Sequence, residues 1–216
     1  MREKICTLNI DLVRYGLLAW TAGNVSERLP DGKSFMIKPS GVSYDDLTPA
    51  MMVICDLEGK VLEGDLAPSS DTAAHAYVYK NMPEVGGIVH THSNYASAWA
   101  AIHSAIPCAL TAMADEFGGE IPLGPFALIG NDDIGKGIVS TLKGHRSRAV
   151  IMKNHGVFTI GKDAKDAVKA AVMCEDVAKT TWIARTMGTL QIIDQKDIDS
   201  LFSRYQNVYG QTKGEK

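Results

Sequence analysis

The sequence has 216 residues, which is enough for one domain with a sizeable core and short of what two domains usually need. Apolar residues make up 45%, charged residues 22%, and the formal net charge is −3, without the basic run that a nucleic-acid-binding protein would carry. No apolar stretch reaches the roughly 18–20 residues of a membrane-spanning helix. Charges interrupt the N-terminal segment too often for a signal peptide, and the four cysteines are scattered. We therefore expect one cytoplasmic domain over residues 1–216, with neither nucleic acid nor membrane as partner.

The predicted elements mix helices and short strands without a regular alternation. Apolar positions at helical spacing predict a first helix over residues 4–20. Short β-rich runs, bounded by Gly, Pro, Asn and Asp, predict strands over residues 34–38, 52–57, 87–91, 106–111, 126–129, 148–153 and 157–160. Further helices are predicted over residues 70–81, 94–103, 132–142, 163–187 and 196–209. This pattern indicates a layered α/β domain, not a doubly wound fold.

The strongest functional motif is a pair of histidines, His90 and His92, at the end of the predicted strand 87–91. Side chains at positions i and i+2 of a strand point to the same face, so both imidazoles can reach one point. Neutral imidazole is a good ligand for zinc and related divalent ions. Taken alone, the pair is equally compatible with two unrelated histidines.

A third histidine, His155, lies in the predicted turn before the strand 157–160. By itself it is more readily explained as a structural residue. Together with His90 and His92 it provides the third nitrogen that catalytic zinc sites usually have. A closed structural site would use cysteines, and no cysteine is close to these histidines in the sequence. The three histidines therefore predict a divalent-metal site of the open, catalytic type.

The segment Ala67-Pro-Ser-Ser-Asp71 opens the predicted helix 70–81 with two serines. Free backbone N–H groups and the helix dipole make such a helix start an anion site, although an ordinary helix cap has the same residues. Asp71 and His75 lie one turn apart on the same helix face, and either could join the metal or form a capping pair. Segments 21–26 and 37–41 offer further hydroxyl, amide and ammonium groups for a phosphate.

Taken in order, these motifs resemble the class II aldolase/L-ribulose-5-phosphate 4-epimerase family. The resemblance extends over nearly the whole chain, through Ala22-Gly-Asn-Val-Ser26, Ile37-Lys-Pro-Ser-Gly41, Pro68-Ser-Ser-Asp-Thr72, Gly87-Ile-Val-His-Thr-His-Ser93, Asn154-His-Gly156 and Tyr209-Gly-Gln211. It implies an α/β/α sandwich around a central, mainly antiparallel β-sheet. It also implies a homotetramer with active sites at the subunit interfaces, where a neighbour's tail contributes a tyrosine.

The resemblance also assigns roles to individual residues. It implies a metal bound by His90, His92 and His155, with Asp71 as the fourth ligand. It implies that the phosphate of a small sugar phosphate is bound by a polar set that comprises Asn24, Lys38, Gly41, Ser69 and Ser70. Zn²⁺ is the first expectation for the metal, and Mn²⁺ and Co²⁺ suit the same ligands.

Three features favour the epimerase branch of the family: Asp71 where aldolases usually have Glu, Asp115 after Thr111, and the Tyr209 tail motif. This branch converts L-ribulose 5-phosphate to D-xylulose 5-phosphate by retro-aldol cleavage and re-addition. We expect Asp115 and a neighbour's Tyr209 to transfer protons on opposite sides of the substrate. The match has departures, since epimerases commonly have His in place of Met113 and Tyr in place of Glu116.

Two alternatives share the fold. An aldolase acting on fuculose 1-phosphate or rhamnulose 1-phosphate would use the same metal site, usually with Glu in place of Asp71, and would not need Asp115. A non-catalytic, adducin-like binding protein should have lost its metal ligands. All three histidines and Asp71 are present here, which favours an enzyme.

Overall fold

The computed structural model describes residues 1–208, so Tyr209 and the rest of the tail motif lie outside the described residues. In the described chain eight strands form one sheet, in the order β4-β3-β2-β1-β5-β8-β7-β6. Their bounds are β1 Asn24–Arg28, β2 Ser34–Ile37, β3 Val53–Asp56, β4 Val61–Glu63, β5 Gly87–Thr91, β6 Leu123–Gly124, β7 Ala149–Met152 and β8 Val157–Gly161. Neighbouring strands are antiparallel except β6 and β7, which are parallel. The predicted, mainly antiparallel sheet is confirmed, and its β6 edge makes it mixed.

Helices cover both faces of this sheet. They are α1 Arg2–Arg14, α2 Thr72–Asn81, α3 Asn94–Ala101, α4 Thr111–Phe117, α5 Asp133–Leu142, α6 Ala164–Met187 and α7 Gln195–Val208, with a 3-10 turn over Pro49–Met51. Successive side chains of a strand point to opposite faces. Accordingly, Ile88 of β5 packs in the core that contains α2 and α5, and Val89 packs in the core that contains α1 and α6. The α/β/α layering predicted from the family resemblance is confirmed.

Most predicted elements are observed with ends that differ by two residues or fewer, but three predictions are wrong. The first helix ends at Arg14, because Gly16 takes a left-handed conformation (φ +68°) and the Leu17 N–H returns to the Leu12 carbonyl. Residues 106–111 form no strand: Ile106 makes one isolated bridge, and Thr111 already begins α4. Residues 126–129 form a loop that leaves their large apolar side chains exposed.

Strand β1 was not predicted, because its sequence Asn-Val-Ser-Glu-Arg lacks the apolar character of a central strand. It nevertheless lies between β2 and β5, and its side chains Asn24, Ser26 and Glu27 are buried and hydrogen-bonded. Glu27, for example, accepts hydrogen bonds from Lys4 Nζ at 2.6 Å and from the Ala164 N–H at 2.9 Å. Polar pairing therefore takes the place of apolar burial in this strand.

The described helices include none that is both long and apolar enough to cross a membrane. All four cysteines are buried, and no two of them form a disulfide.

Candidate metal and phosphate site

Three imidazoles meet at one end of the central strands. His90 is in β5, His92 follows that strand, and His155 lies in the tight turn between β7 and β8. One ring nitrogen of each lies within 4.8 Å of the others, and Nε2 of His90 is 2.9 Å from Nε2 of His92. The sheet thus brings together the three histidines that the sequence predicted as ligands, because β5 and β8 are neighbours.

The orientation of His90 is set by β8. Its Nδ1 lies 2.9 Å from the carbonyl oxygen of Val157, which can only accept, so Nδ1 carries the proton. The lone pair on Nε2 then faces His92, and the ring stacks on Phe158 with centroids 4.1 Å apart. Burial lowers the pKa of His90 to about 3. His90 is therefore a neutral, oriented imidazole, as metal ligation requires.

The donor set fits a divalent metal ion. Nε2 of His155 is buried and has no hydrogen-bond partner among the described residues. Burial, and then the neighbouring His92, lowers the pKa of His155, which keeps this ring neutral as well. Two nitrogens bound to a tetrahedral Zn²⁺ at about 2.0–2.1 Å lie roughly 3.3 Å apart, close to the observed separation of the His90 and His92 nitrogens. Three nitrogen donors without a thiolate suit Zn²⁺, Mn²⁺ or Co²⁺.

Asp71 lies beside the histidines but outside their three-nitrogen group. Its Oδ2 accepts a hydrogen bond of 2.7 Å from Asn24 Nδ2, which also donates to Ser69 Oγ at 2.9 Å. Burial raises the pKa of Asp71, but the imidazoles of His90 and His75 and the bond from Asn24 outweigh burial and leave this pKa below its ordinary value. Asp71 is therefore an ionised carboxylate, and its role as a fourth ligand stays a prediction.

The same cavity contains the residues predicted to bind phosphate. Its volume is about 300 Å³, and its lining includes His90, His92, His155, Asp71, Asn24, Lys38, Gly41, Ser69 and Ser70. Residues from six separate stretches of the sequence thus face one space. Ile129 adds a large apolar side chain to this lining.

Lys38 is a buried cation, with 1% of its surface exposed. Its Nζ donates to the Pro39 carbonyl at 3.2 Å and lies 4.7 Å from the centre of the Tyr44 ring. Among the described residues Lys38 has no carboxylate in salt-bridge range, and burial lowers its pKa. A buried ammonium group without a carboxylate favours an anionic ligand.

His75, which the sequence offered as an alternative ligand, is not in the three-histidine group. Its Nδ1 is hydrogen-bonded to Ser26 Oγ at 2.7 Å, and this hydroxyl lies 2.8 Å from the Tyr79 hydroxyl. Burial lowers the pKa of His75 to about 4, so the ring is neutral. The chain of Ser26, His75 and Tyr79 was not predicted, because only the packing of β1 against α2 reveals it.

Two glycines have supporting roles that sequence reasoning did not assign. A Cβ at Gly156 would lie 2.5 Å from the Thr91 carbonyl oxygen and 2.9 Å from Cδ2 of His92. A Cβ at Gly23 would lie 2.8 Å from the His90 carbonyl oxygen, and Gly23 has φ +78°. Both positions let backbone approach the ligand strand closely.

Of the two predicted proton carriers, only Asp115 lies within the described residues, and it is separate from this cavity. Asp115 is in α4, which packs against α6 and α7, and it is not among the lining residues. One oxygen of Asp115 is nevertheless buried without a hydrogen-bond partner among the described residues. Tyr209 lies outside the described residues. The roles of both residues stay predictions.

Comparison with known proteins identifies the family. Residues 3–182 match the family model described as Class II Aldolase and Adducin N-terminal domain. The chain belongs to this family. The fold matches that of an L-fuculose 1-phosphate aldolase with a TM-score of 0.89 over 95% of each chain, at 22% identity.

Two further solved structures extend the comparison. The L-fuculose-1-phosphate aldolase from Thermus thermophilus is 27% identical, with a TM-score of 0.72 over 85% of this chain and 93% of that one. The sugar-phosphate aldolase from Thermotoga maritima is 22% identical, with a TM-score of 0.72 over 88% of this chain and 97% of that one. The family predicted from the sequence motifs is confirmed at the level of class II aldolases.

Proposed function

We propose that this chain is a metal-dependent class II aldolase that cleaves a ketose phosphate at the bond between C3 and C4, and that also catalyses the reverse condensation. One observation supports this most strongly: the three histidines and the phosphate-binding candidates line a single cavity of about 300 Å³. A retro-aldol enzyme needs these two functions side by side, because the carbonyl must be polarised while the phosphate is held.

In the proposed reaction the chain supplies binding, orientation and proton transfer. His90, His92 and His155 would hold a divalent ion, most simply Zn²⁺, which supplies a Lewis acid for the substrate carbonyl. Asn24, Lys38, Gly41, Ser69 and Ser70 would hold the phosphate and keep the cleaved fragment in place. Asp71 is the one carboxylate among the described lining residues. It would complete the donor set or accept the substrate's hydroxyl proton.

For the substrate, we place a ketose 1-phosphate such as L-fuculose 1-phosphate first. The relative from Thermus thermophilus, at 27% identity, is named for that activity. Cleavage also needs fewer groups than epimerisation, since the products leave without re-addition on the opposite face. The candidate metal ligands, the candidate phosphate-binding residues and the carboxylate of Asp71 all line the described cavity.

The second candidate is 4-epimerisation of L-ribulose 5-phosphate to D-xylulose 5-phosphate. Asp71, in place of the glutamate usual in aldolases, favours it, as does Asp115 in its Thr-Ala-Met-Ala-Asp context. This reaction shares the C–C cleavage and adds rotation and re-addition of the aldehyde fragment. It requires a second proton carrier, and we propose Asp115 with Tyr209 of a neighbouring subunit for that role.

These assignments carry a proposal for assembly. We propose a cytoplasmic homotetramer of single-domain subunits over residues 1–216, with each active site at a subunit interface. Sedimentation velocity would measure the assembly directly. A stable monomer that retains full activity would exclude the contribution of a neighbour's Tyr209.

The test of function uses the zinc-loaded protein with L-fuculose 1-phosphate and L-ribulose 5-phosphate in separate reactions. Released dihydroxyacetone phosphate is measured with glycerol-3-phosphate dehydrogenase, and D-xylulose 5-phosphate is measured by chromatography. Dihydroxyacetone phosphate release that stops with a chelator supports the aldolase. Conversion of the pentose alone supports the epimerase. No turnover of either sugar by metal-loaded protein contradicts both and favours an adducin-like binding role.

A further inference from the structure

Glu175 makes an unusual contact with the helix that follows His92. Its Oε1 accepts the Tyr95 N–H and its Oε2 accepts the Ala96 N–H, both at 2.9 Å. These N–H groups belong to the first turn of α3, which begins at Asn94, two residues after His92. A side chain of α6, distant in sequence, therefore caps the helix that emerges from the ligand strand.

This cap replaces one that the local sequence could have supplied. Ser93 is in the N-cap position, but its side chain makes no capping hydrogen bond, and its hydroxyl has no partner among the described residues. The first N–H groups of a helix have no partner within the helix, and a carboxylate there is also favoured by the helix dipole. Glu175 thus satisfies donors that would otherwise be unpaired and fixes where α3 starts.

The other end of α3 is joined to the second ligand loop. His103 takes a left-handed conformation (φ +55°), and the Ser104 N–H returns to the Trp99 carbonyl, which closes the helix. The Asn154 N–H donates to the Ala100 carbonyl at 3.4 Å, and the Asn154 side chain is hydrogen-bonded to His103. Asn154 immediately precedes His155, so the end of α3 holds the turn that carries this histidine.

We propose that helix α3 sets the spacing between His92 and His155, and that Glu175 is the positioning residue at the N-terminal end of this helix. The inference rests on the proposed metal site and adds residues that do not touch the ion. His90 is in strand β5, which pairs with β1 on one side and with β8 on the other. His92 and His155 lie just outside strands, so their positions depend on what holds the loops.

The proposal makes a specific claim about metal affinity. Without Glu175 the first turn of α3 loses two acceptors, and the exposed His92 loses the fixed backbone from which it reaches the ion. Residues that orient metal ligands typically change metal affinity by about 10–100-fold when replaced. Glu175 acts through the backbone and not on an imidazole, so we expect about tenfold weaker binding, at the lower end of that range.

The experiment compares wild type, Glu175→Ala, Glu175→Gln and the control Asp176→Asn. Asp176 is the next residue of α6, is exposed, and its replacement removes a carboxylate from the same helical turn. The affinity of each metal-free protein for Zn²⁺ is measured by competition with a chromophoric chelator, and thermal unfolding of the metal-free proteins is recorded in parallel. We expect weaker binding in Glu175→Ala, an intermediate value in Glu175→Gln, and wild-type affinity in Asp176→Asn.

A purely structural role would lower the unfolding temperature and leave the affinity for Zn²⁺ unchanged, and that result would overturn the proposal. If Glu175→Ala does not fold, His103→Ala decides the question, because His103 is exposed and is hydrogen-bonded to Asn154 at the opposite end of α3. We expect His103→Ala to weaken Zn²⁺ binding severalfold, and an unchanged affinity would exclude the proposed role of α3. Wild-type protein that binds no Zn²⁺ would instead overturn the proposed function, and the inference with it.

Discussion

The centre of the sheet and helix α4 differ in how they are connected to the cavity with the candidate ligands. At the centre, Asn24 of β1 lies opposite His90 of β5, and His90 lies opposite Phe158 of β8. Strand register therefore places the metal and phosphate candidates relative to one another within a single chain. Asp115 of α4 has no such connection to the cavity in the described chain. The candidate ligands are thus tied to the sheet, whereas Asp115 lies in a helix that packs against α6 and α7.

The strongest test of the sheet region is His155→Ala. We expect it to lose bound Zn²⁺ and at least about 10³-fold in cleavage rate, because a Lewis acid contributes several kcal/mol and each ~1.36 kcal/mol is tenfold. Metal content by mass spectrometry of the native protein and release of dihydroxyacetone phosphate measure both effects. His145→Ala is the matched control, since His145 is exposed and does not line the cavity. Equal metal content in the two variants would contradict the site.

The phosphate part of the same region is tested by Lys38→Met. A hydrogen bond to a charged group contributes about 1.5–3 kcal/mol, so we expect KM for the phosphorylated sugar to rise by roughly 10–100-fold. The maximal rate should change little, because the phosphate contact is the same in the ground and transition states. Lys33→Met, at an exposed lysine, is the control. A KM that does not move would place the phosphate elsewhere.

Close packing behind the ligands is tested by Gly156→Ala. Its new Cβ would lie 2.5 Å from the Thr91 carbonyl oxygen, so the β7–β8 turn has to shift. We expect a loss of about 1–3 kcal/mol in the free energy of unfolding, measured in urea, with weaker Zn²⁺ binding. Gly188→Ala provides the comparison, because its Cβ would meet open space. A Gly156→Ala protein as stable as that control would show that the turn adapts.

The smallest effect is expected for Asp115→Asn under the aldolase proposal. The cleavage rate should then change by no more than about twofold, because Asp115 does not line the cavity. Under the epimerase proposal, the same substitution should lower epimerisation by about 10²–10⁴-fold at unchanged metal content. Rates on both sugars, measured with Asp115→Asn and wild type side by side, decide between them.

Part of the fold and of the site could be predicted from local patterns. The period of two in β5 indicated that His90 and His92 share a face, and Pro68-Ser-Ser-Asp71 indicated the start of α2. Helical sequence patterns identified α2, α3, α5 and α6 to within two residues at each end. These features depend on neighbours in the sequence, and for that reason the sequence alone determined them.

Other features depended on partners distant in the chain. Strand β1 has a polar sequence, and its buried side chains Asn24, Ser26 and Glu27 are hydrogen-bonded to distant groups that include Ser69, Asp71, His75 and the Ala164 N–H. Residues 126–129 have the sequence of a strand, yet no strand of the described sheet pairs with them, and their large apolar side chains stay exposed. The cap of α3 by Glu175 joins residues 79 and 80 positions apart. Such contacts have no local signature, because burial and hydrogen-bond pairing are decided only when the layers pack together.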